Sequence, residues 1–298
     1  MQSDMLVFIR RCSFVYLFVI FSGAFGQDLA EGSSAASQSR FIAAHDGVPI
    51  GYSTFGAGSP ALVFVHGYSC DRSYWKEQVA PFSRDFRVVT VDLAGHGESG
   101  MERKEWSIES FGGDVSSVVE GLDLQNVVLV GHSMGSPIIL EAARRLPGRV
   151  SGLVLVDTYG DFGPSWTAEE IEAFLEPFRA DFIPNTRAWV RDMFPDNADQ
   201  ALVEQVAKDM SAAPPDVARE VLESAIMFMY GGDTTAVLKN LDVPAFAINS
   251  DHGLTDVKSM EHYGIETQII SGVGHFLMME DPDAFNSALT NVINSLVD

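Results

Sequence analysis

Val127-Val128-Leu129-Val130-Gly131-His132-Ser133-Met134-Gly135-Ser136-Pro137-Ile138-Ile139-Leu140 is the stretch that decides the fold. Consecutive apolar residues, mostly β-branched, read as a strand covered on both faces. From Met134 through Ile138, Ile139, Leu140 and Ala142-Ala143 the pattern turns helical. Between the two lies Gly-x-Ser-x-Gly, where Gly131 and Gly135 remove side chains that a tight strand-to-helix turn cannot house. The free N–H groups and positive dipole end of that helix face Ser133, where they would stabilise developing negative charge. In a chain of 298 residues with 26 glycines the motif alone is weak. Its flanking strand and helix make it specific.

Outward from this turn, strand and helix patterns alternate. Asp46-Gly47 between Phe41–His45 and Ile50–Phe55 is a hairpin signal. Ala61–Val65, Val88–Val91 and Leu153–Val156 read as further buried strands, with helices expected over Tyr74–Phe82, Ile108–Leu122 and Pro137–Leu146. The sum is a mostly parallel sheet with an antiparallel start. The alternation stops after Tyr159. Residues 160–235 carry amphipathic helical patterns instead, at Ala168–Phe178, Thr186–Phe194, Asp199–Met210 and Asp216–Tyr230. Strands resume at Ala245–Asn249 and Glu266–Ile270, and a final helix is expected over Asp283–Leu296. The chain therefore divides into an α/β core, 40–159 and 236–298, and a helical insertion, 160–235.

The first residues read differently. Arg10-Arg11, the apolar run Cys12–Phe21, and small residues at Ala24 and Gly26 give the expectation of a secretory signal cleaved after Gly26, hence export to the periplasm or medium. The alternative is an uncleaved anchor, for which the run is short. Residues 27–39 read as a disordered lead-in. With Cys12 removed, Cys70 has no internal disulfide partner, so an exported chain would rely on its core alone. A formal net charge of −22 repels nucleic acid and anionic headgroups, so nucleic acid is excluded as a partner, and no stable membrane insertion is expected after signal cleavage. No metal-ligand spacing and no nucleotide-binding glycine pattern occurs, so neither a metal nor a cofactor is expected.

A serine hydroxyl needs a base, and the base needs an acid to hold its tautomer. Of seven histidines, His275 in Gly272-Val273-Gly274-His275-Phe276 stands just past the last strand, on a glycine-flanked loop able to reach the sheet edge. His66, His96 and His132 read as packing or hydrogen-bonding neighbours. Asp92 reads as a loop brace, and Cys70 as a small buried residue.

With the serine turn, two further motifs complete a resemblance: His66-Gly67 after the third strand, and Asp92-Leu93-Ala94-Gly95-His96-Gly97-Glu98-Ser99 after the fourth. Residues 40–298 resemble an α/β-hydrolase with a helical cap inserted after the sixth strand. The resemblance implies an oxyanion hole formed by the backbone N–H groups of Tyr68 and Met134. It also implies an acid late in the sheet, and here alternatives stand. Asp251, after the seventh strand, is the first choice; Asp157, ending the sixth, is the rival. Asp256 comes third and fits the start of a helix better.

The expected activity is hydrolysis of a small or medium hydrophobic carboxylic ester through Ser133 and His275. Trp166, Phe174, Phe178, Phe182, Trp189, Met193, Phe194, Met227, Phe228 and Met229 supply cap core and part of a pocket. Lactonase, serine-dependent C–C hydrolase and cofactor-free peroxidase are alternatives within the same resemblance. A small-molecule receptor with a hydrolase-like pocket is the non-enzyme alternative.

Overall fold

A computed structural model describes residues 40–158, 166–230, 233–253 and 255–297. The expected signal segment, the lead-in and the start of the insertion lie outside them. Eight strands form one sheet: β1 (Arg40–Ala43), β2 (Pro49–Phe55), β3 (Ala61–Val65), β4 (Arg87–Val91), β5 (Val127–His132), β6 (Val150–Val156), β7 (Ala245–Ser250) and β8 (Glu266–Ile270). Their order is β1-β2-β4-β3-β5-β6-β7-β8. β2 runs antiparallel to both neighbours, and every pair from β4 to β8 is parallel. The antiparallel start and parallel body follow from the sequence pattern: a hairpin first, then crossovers through helices.

Helices α1 (Lys76–Phe82), α2 (Ile108–Gly121), α3 (Gly135–Arg145) and, at the carboxyl end, α11 (Pro282–Val297) flank the sheet. Every residue of β3 is buried, as are nearly all of β4 and β5, because both faces are covered. Each such Val or Leu contributes about 1.5–3 kcal/mol over leaving it exposed. α2 and α3 pack closely because Gly112 has no side chain; a Cβ there would lie 2.5 Å from Glu141 Cγ.

Between β6 and β7 come α4 (Ala168–Ala180), α5 (Phe182–Asp192), α6 (Gln200–Met210), α7 (Pro215–Tyr230) and α8 (Asp233–Leu238). This is the helical cap. Its second helix starts at Phe182 rather than at the expected Thr186. Pro184 lies in the first turn, where a missing N–H costs no helical bond, so it does not delay the helix. Short helices α9 (Val257–His262) and α10 (Leu277–Glu280) were too brief for any periodic signal. No helix among the described residues is long and apolar enough to cross a membrane.

Candidate active site

The loops that matter all leave the carboxyl ends of parallel strands, the edge where open α/β sheets bind ligands. Among the described residues five non-glycine positions have positive φ, and Ser69, Ser133 and Asp157 are three of them at this edge. A side chain in that region costs about 1–3 kcal/mol and persists only where its surroundings hold it. Ser133 has φ +53°. It is pinned by its N–H donating to Val156 O at 2.9 Å and by Ser136 N–H donating to its carbonyl at 2.9 Å. A Cβ on Gly131 would sit 2.3 Å from Gly135 O, and one on Gly135 would sit 2.6 Å from Val65 O. Both glycines are therefore dictated by the tightness of the turn.

The next strand end brings a buried carboxylate. Asp157 has φ +46°, and its N–H donates to Ile248 O at 3.0 Å across to β7. Its Oδ1 accepts from Ser250 N–H at 2.7 Å, and its Oδ2 accepts from His275 Nδ1–H at 2.6 Å. Asp157 is 7% exposed and His275 is 6% exposed. Burial works to raise the Asp157 carboxyl. The His275 hydrogen bond, the imidazole charge and the Ser250 N–H outweigh it and hold the carboxyl below its usual range.

Asp251, the first choice from the sequence, is not at the imidazole. It is exposed, and its Oδ1 accepts from Gly272 N–H at 2.9 Å, bracing the turn after β8. The side chain of a residue just beyond β7 is turned towards β8, whereas Asp157 lies between β6 and β7. The third candidate, Asp256, caps α9 through Lys258 N–H and Ser259 N–H, as its position suggested.

His275 is held beside the serine turn by its neighbour. His132 Nε2–H donates to His275 O at 2.8 Å, and the two rings stand 4.7 Å apart. That bond makes His132 a neutral Nε2–H tautomer, in keeping with burial pushing its pKa down to about 3. His66 is likewise neutral: its Nδ1–H donates to Gly67 O at 2.8 Å while Nε2 accepts Leu93 N–H at 3.1 Å. Burial lowers it to about 4. His66 thereby fixes the loop that carries Tyr68. A Cβ on Gly67 would be 3.2 Å from Ser133 Cβ, so this loop passes directly against the serine. Tyr68 and Met134 are both buried there, with Met134 leading into the first turn of α3.

Asp92 braces its loop. Its carboxylate accepts from Arg72 N–H at 2.8 Å, from Glu98 N–H at 2.9 Å and from the Arg72 guanidinium. Cys70 is buried and its Sγ–H bonds to Tyr68 O at 3.3 Å; burial raises its pKa well above the ordinary value, so it stays a thiol. Asn249 escaped the sequence reading. Fully buried, it accepts Thr158 N–H and donates to Thr158 O and Thr255 Oγ1, tying the residue after Asp157 to β7. An amide ending the otherwise apolar Ala245-Phe246-Ala247-Ile248 was the available signal.

The cap closes over this edge. Trp189 lies 6.0 Å, ring to ring, from Tyr68. With Met193, Asp192, Ser250, His252 and Gly253 it borders a cavity of about 170 Å³ that reaches Asp157 and His275. Phe174 and Phe178 pack edge-on to Trp189, and Trp166 stacks on Tyr230 at 4.3 Å. Met227, by contrast, is 53% exposed and packs in neither core nor pocket. Among the described residues no group of three His, Cys, Asp or Glu side chains is arranged to hold a metal ion.

Known proteins give the same outline. Over 113 residues the chain is 36% identical to a Mycobacterium phage D29 protein named provisionally as a non-heme haloperoxidase, covering 38% of this chain. It spans only 40% of that protein's length. It is 24% identical over 253 residues to the karrikin insensitive 2 receptor CA of Petunia hybrida, covering 76% of this chain and 89% of the receptor. The solved structure of an esterase from Exiguobacterium antarcticum matches with a TM-score of 0.74 at 19% identity, over 86% of this chain and all of that one. The model of the alpha/beta hydrolase family matches residues 62–288, a span that takes in the serine turn, the Asp157 turn and the His275 loop, and the chain belongs to that family.

Proposed function

We propose that Ser133, His275 and Asp157 act as nucleophile, base and acid in the hydrolysis of a carboxylic ester. The observation that carries this reading is the 2.6 Å bond from His275 Nδ1–H to the buried Asp157 carboxylate, beside a serine on a strained turn. With its proton on Nδ1, the imidazole offers Nε2 as the acceptor for the Ser133 proton. The alkoxide attacks the ester carbonyl, and the N–H groups of Tyr68 and Met134 receive the oxyanion. Collapse expels the alcohol with the proton from His275 Nε2. Water then attacks the acyl-enzyme, gives its proton to His275, and Ser133 is released with the acid. Asp157 remains ionised throughout and steadies the imidazolium.

The rings of Trp189, Phe174 and Phe178 support a hydrophobic substrate, and the small cavity beside His275 supports a small or medium one. A lactone is the same bond in a ring and would follow the same path. p-Nitrophenyl esters from acetate to decanoate test the reading. The wild type is expected to turn over a short or medium member, and Ser133→Ala to lose about 10³-fold or more. Equal rates in both proteins would overturn it. No hydrolysis by a folded wild type would favour the receptor alternative.

A further inference from the structure

The loop that presents His275 is gripped from below by a side chain outside the proposed triad. After Phe276 the chain makes one short turn, α10, and this brings Glu280 back beneath the loop. Its Oε2 accepts Gly274 N–H at 2.9 Å, and its Oε1 accepts Phe276 N–H at 3.1 Å. These two donors flank His275. The residue between them is held from the other sides: His275 N–H donates to Met193 O of the cap at 2.9 Å, and His275 O accepts from His132 at 2.8 Å. Gly274 has no room for a side chain, since a Cβ there would lie 2.4 Å from Met193 O.

A carboxylate suits this position for a stereochemical reason. Two N–H groups that point inwards from either side of one residue need two acceptor oxygens on one planar group. Glutamine has one acceptor and would turn its NH₂ towards the other donor. Capping alone does not account for Glu280: its bond to Phe276 N–H lies at the N-terminus of α10, but its bond to Gly274 N–H reaches beyond that helix, and the start of α11 is capped by Asp281, which accepts Ala284 N–H. Nor is the site a comfortable one for a charge: burial raises the Glu280 carboxyl, and the nearby Asp157 adds to the effect.

We propose that Glu280 is a positioning residue, whose two oxygens set the backbone on both sides of His275 and so fix the imidazole between Asp157 and Ser133. This rests on the triad reading above. A misplacement on the scale of 1 Å at a reacting group costs about 10²-fold, so a loosened loop is felt in kcat rather than in binding.

The test uses Glu280→Gln and Glu280→Ala in the full chain, with three readouts. They are kcat and KM on a p-nitrophenyl ester, the rate of Ser133 phosphonylation by a fluorophosphonate, and the far-downfield proton resonance of the His275 Nδ1–H···Asp157 bond. Glu280→Ala is expected to lower kcat about 10- to 100-fold with KM within about twofold. Phosphonylation should slow by the same factor and the resonance should broaden. Glu280→Gln, keeping one acceptor, should fall between Ala and wild type. A drop in melting temperature with kcat, phosphonylation and resonance unchanged would overturn the proposal and leave Glu280 a structural residue. If Glu280→Ala does not fold, Glu280→Gln decides alone by the same readouts. If the wild type hydrolyses no ester, the ester reading fails, and the resonance still decides: its broadening in Glu280→Gln supports positioning, and its persistence overturns it.

Discussion

Asp157→Asn is expected to hydrolyse esters about 10⁴-fold more slowly than the wild type, while Asp251→Asn stays within a few-fold of it. The contrast follows from what each carboxylate touches. Asp157 receives the Nδ1–H of His275 at 2.6 Å and is held by Ser250 N–H from the opposite side. An asparagine there can turn its NH₂ towards Nδ1, which moves the imidazole proton to Nε2 and removes the acceptor for Ser133. Geometry is preserved and the base is lost. Asp251 only accepts Gly272 N–H at an exposed turn, a bond that an asparagine carbonyl can replace. Measuring kcat/KM for both variants on the best p-nitrophenyl ester decides between them. A large loss in Asp251→Asn with none in Asp157→Asn would reverse the assignment of the acid.

The second large effect is on stability in mild acid. Burial holds His66 at about pKa 4 and His96 and His132 at about 3, against 6.5 in an unfolded chain. Each folded value lies below its unfolded one, so the unfolded chain takes up protons first as pH falls through 6.5. Stability is therefore complete above that pH and is lost below it. Asp114 works the other way. Its carboxyl is raised by burial to about 6 despite the Arg103 ion pair, so below pH 6 the folded chain gains a proton that the unfolded chain lacks. Down to pH 5 the net difference is about two protons, three taken up by the unfolded histidines less one by the folded Asp114, or about 3 kcal/mol per pH unit. Against a typical total of about 5–15 kcal/mol, that is a steep fall. Asp157, held below the usual carboxylate range, contributes nothing to it, because its stabilisation is lost only at lower pH. Melting temperatures at pH 7, 6 and 5 should drop sharply between 6.5 and 5. A flat profile over that range would mean that these histidines are not buried as neutral groups.

Much of this is legible in the sequence, for local reasons. The runs at 61–65 and 127–130 are short, apolar and β-branched because they are covered on both faces. Ser133 stands out because its glycines report a turn with no space for Cβ atoms, and His275 because the chain leaves the last strand immediately before it. The carboxylate partner of His275 was not legible in the same way. Asp157 and Asp251 both follow strand ends, and nothing within ten residues of either distinguishes them. The distinction comes from register, which sets Asp157 against Ile248 and Ser250 of the adjacent strand and points Asp251 towards Gly272. Glu280 was invisible for a related reason. A single helical turn has no periodicity to detect, and a carboxylate that bonds backbone N–H groups leaves no partner residue in the sequence to match.

The most direct measurement is the site and stoichiometry of reaction with diethyl p-nitrophenyl phosphate, a phosphotriester that traps an activated serine as a stable adduct. The account predicts release of one p-nitrophenolate per chain and a diethylphosphoryl group on the tryptic peptide containing Ser133, with Asp157→Asn reacting far more slowly. No adduct on a folded wild-type chain, or an adduct on any residue other than Ser133, would contradict it.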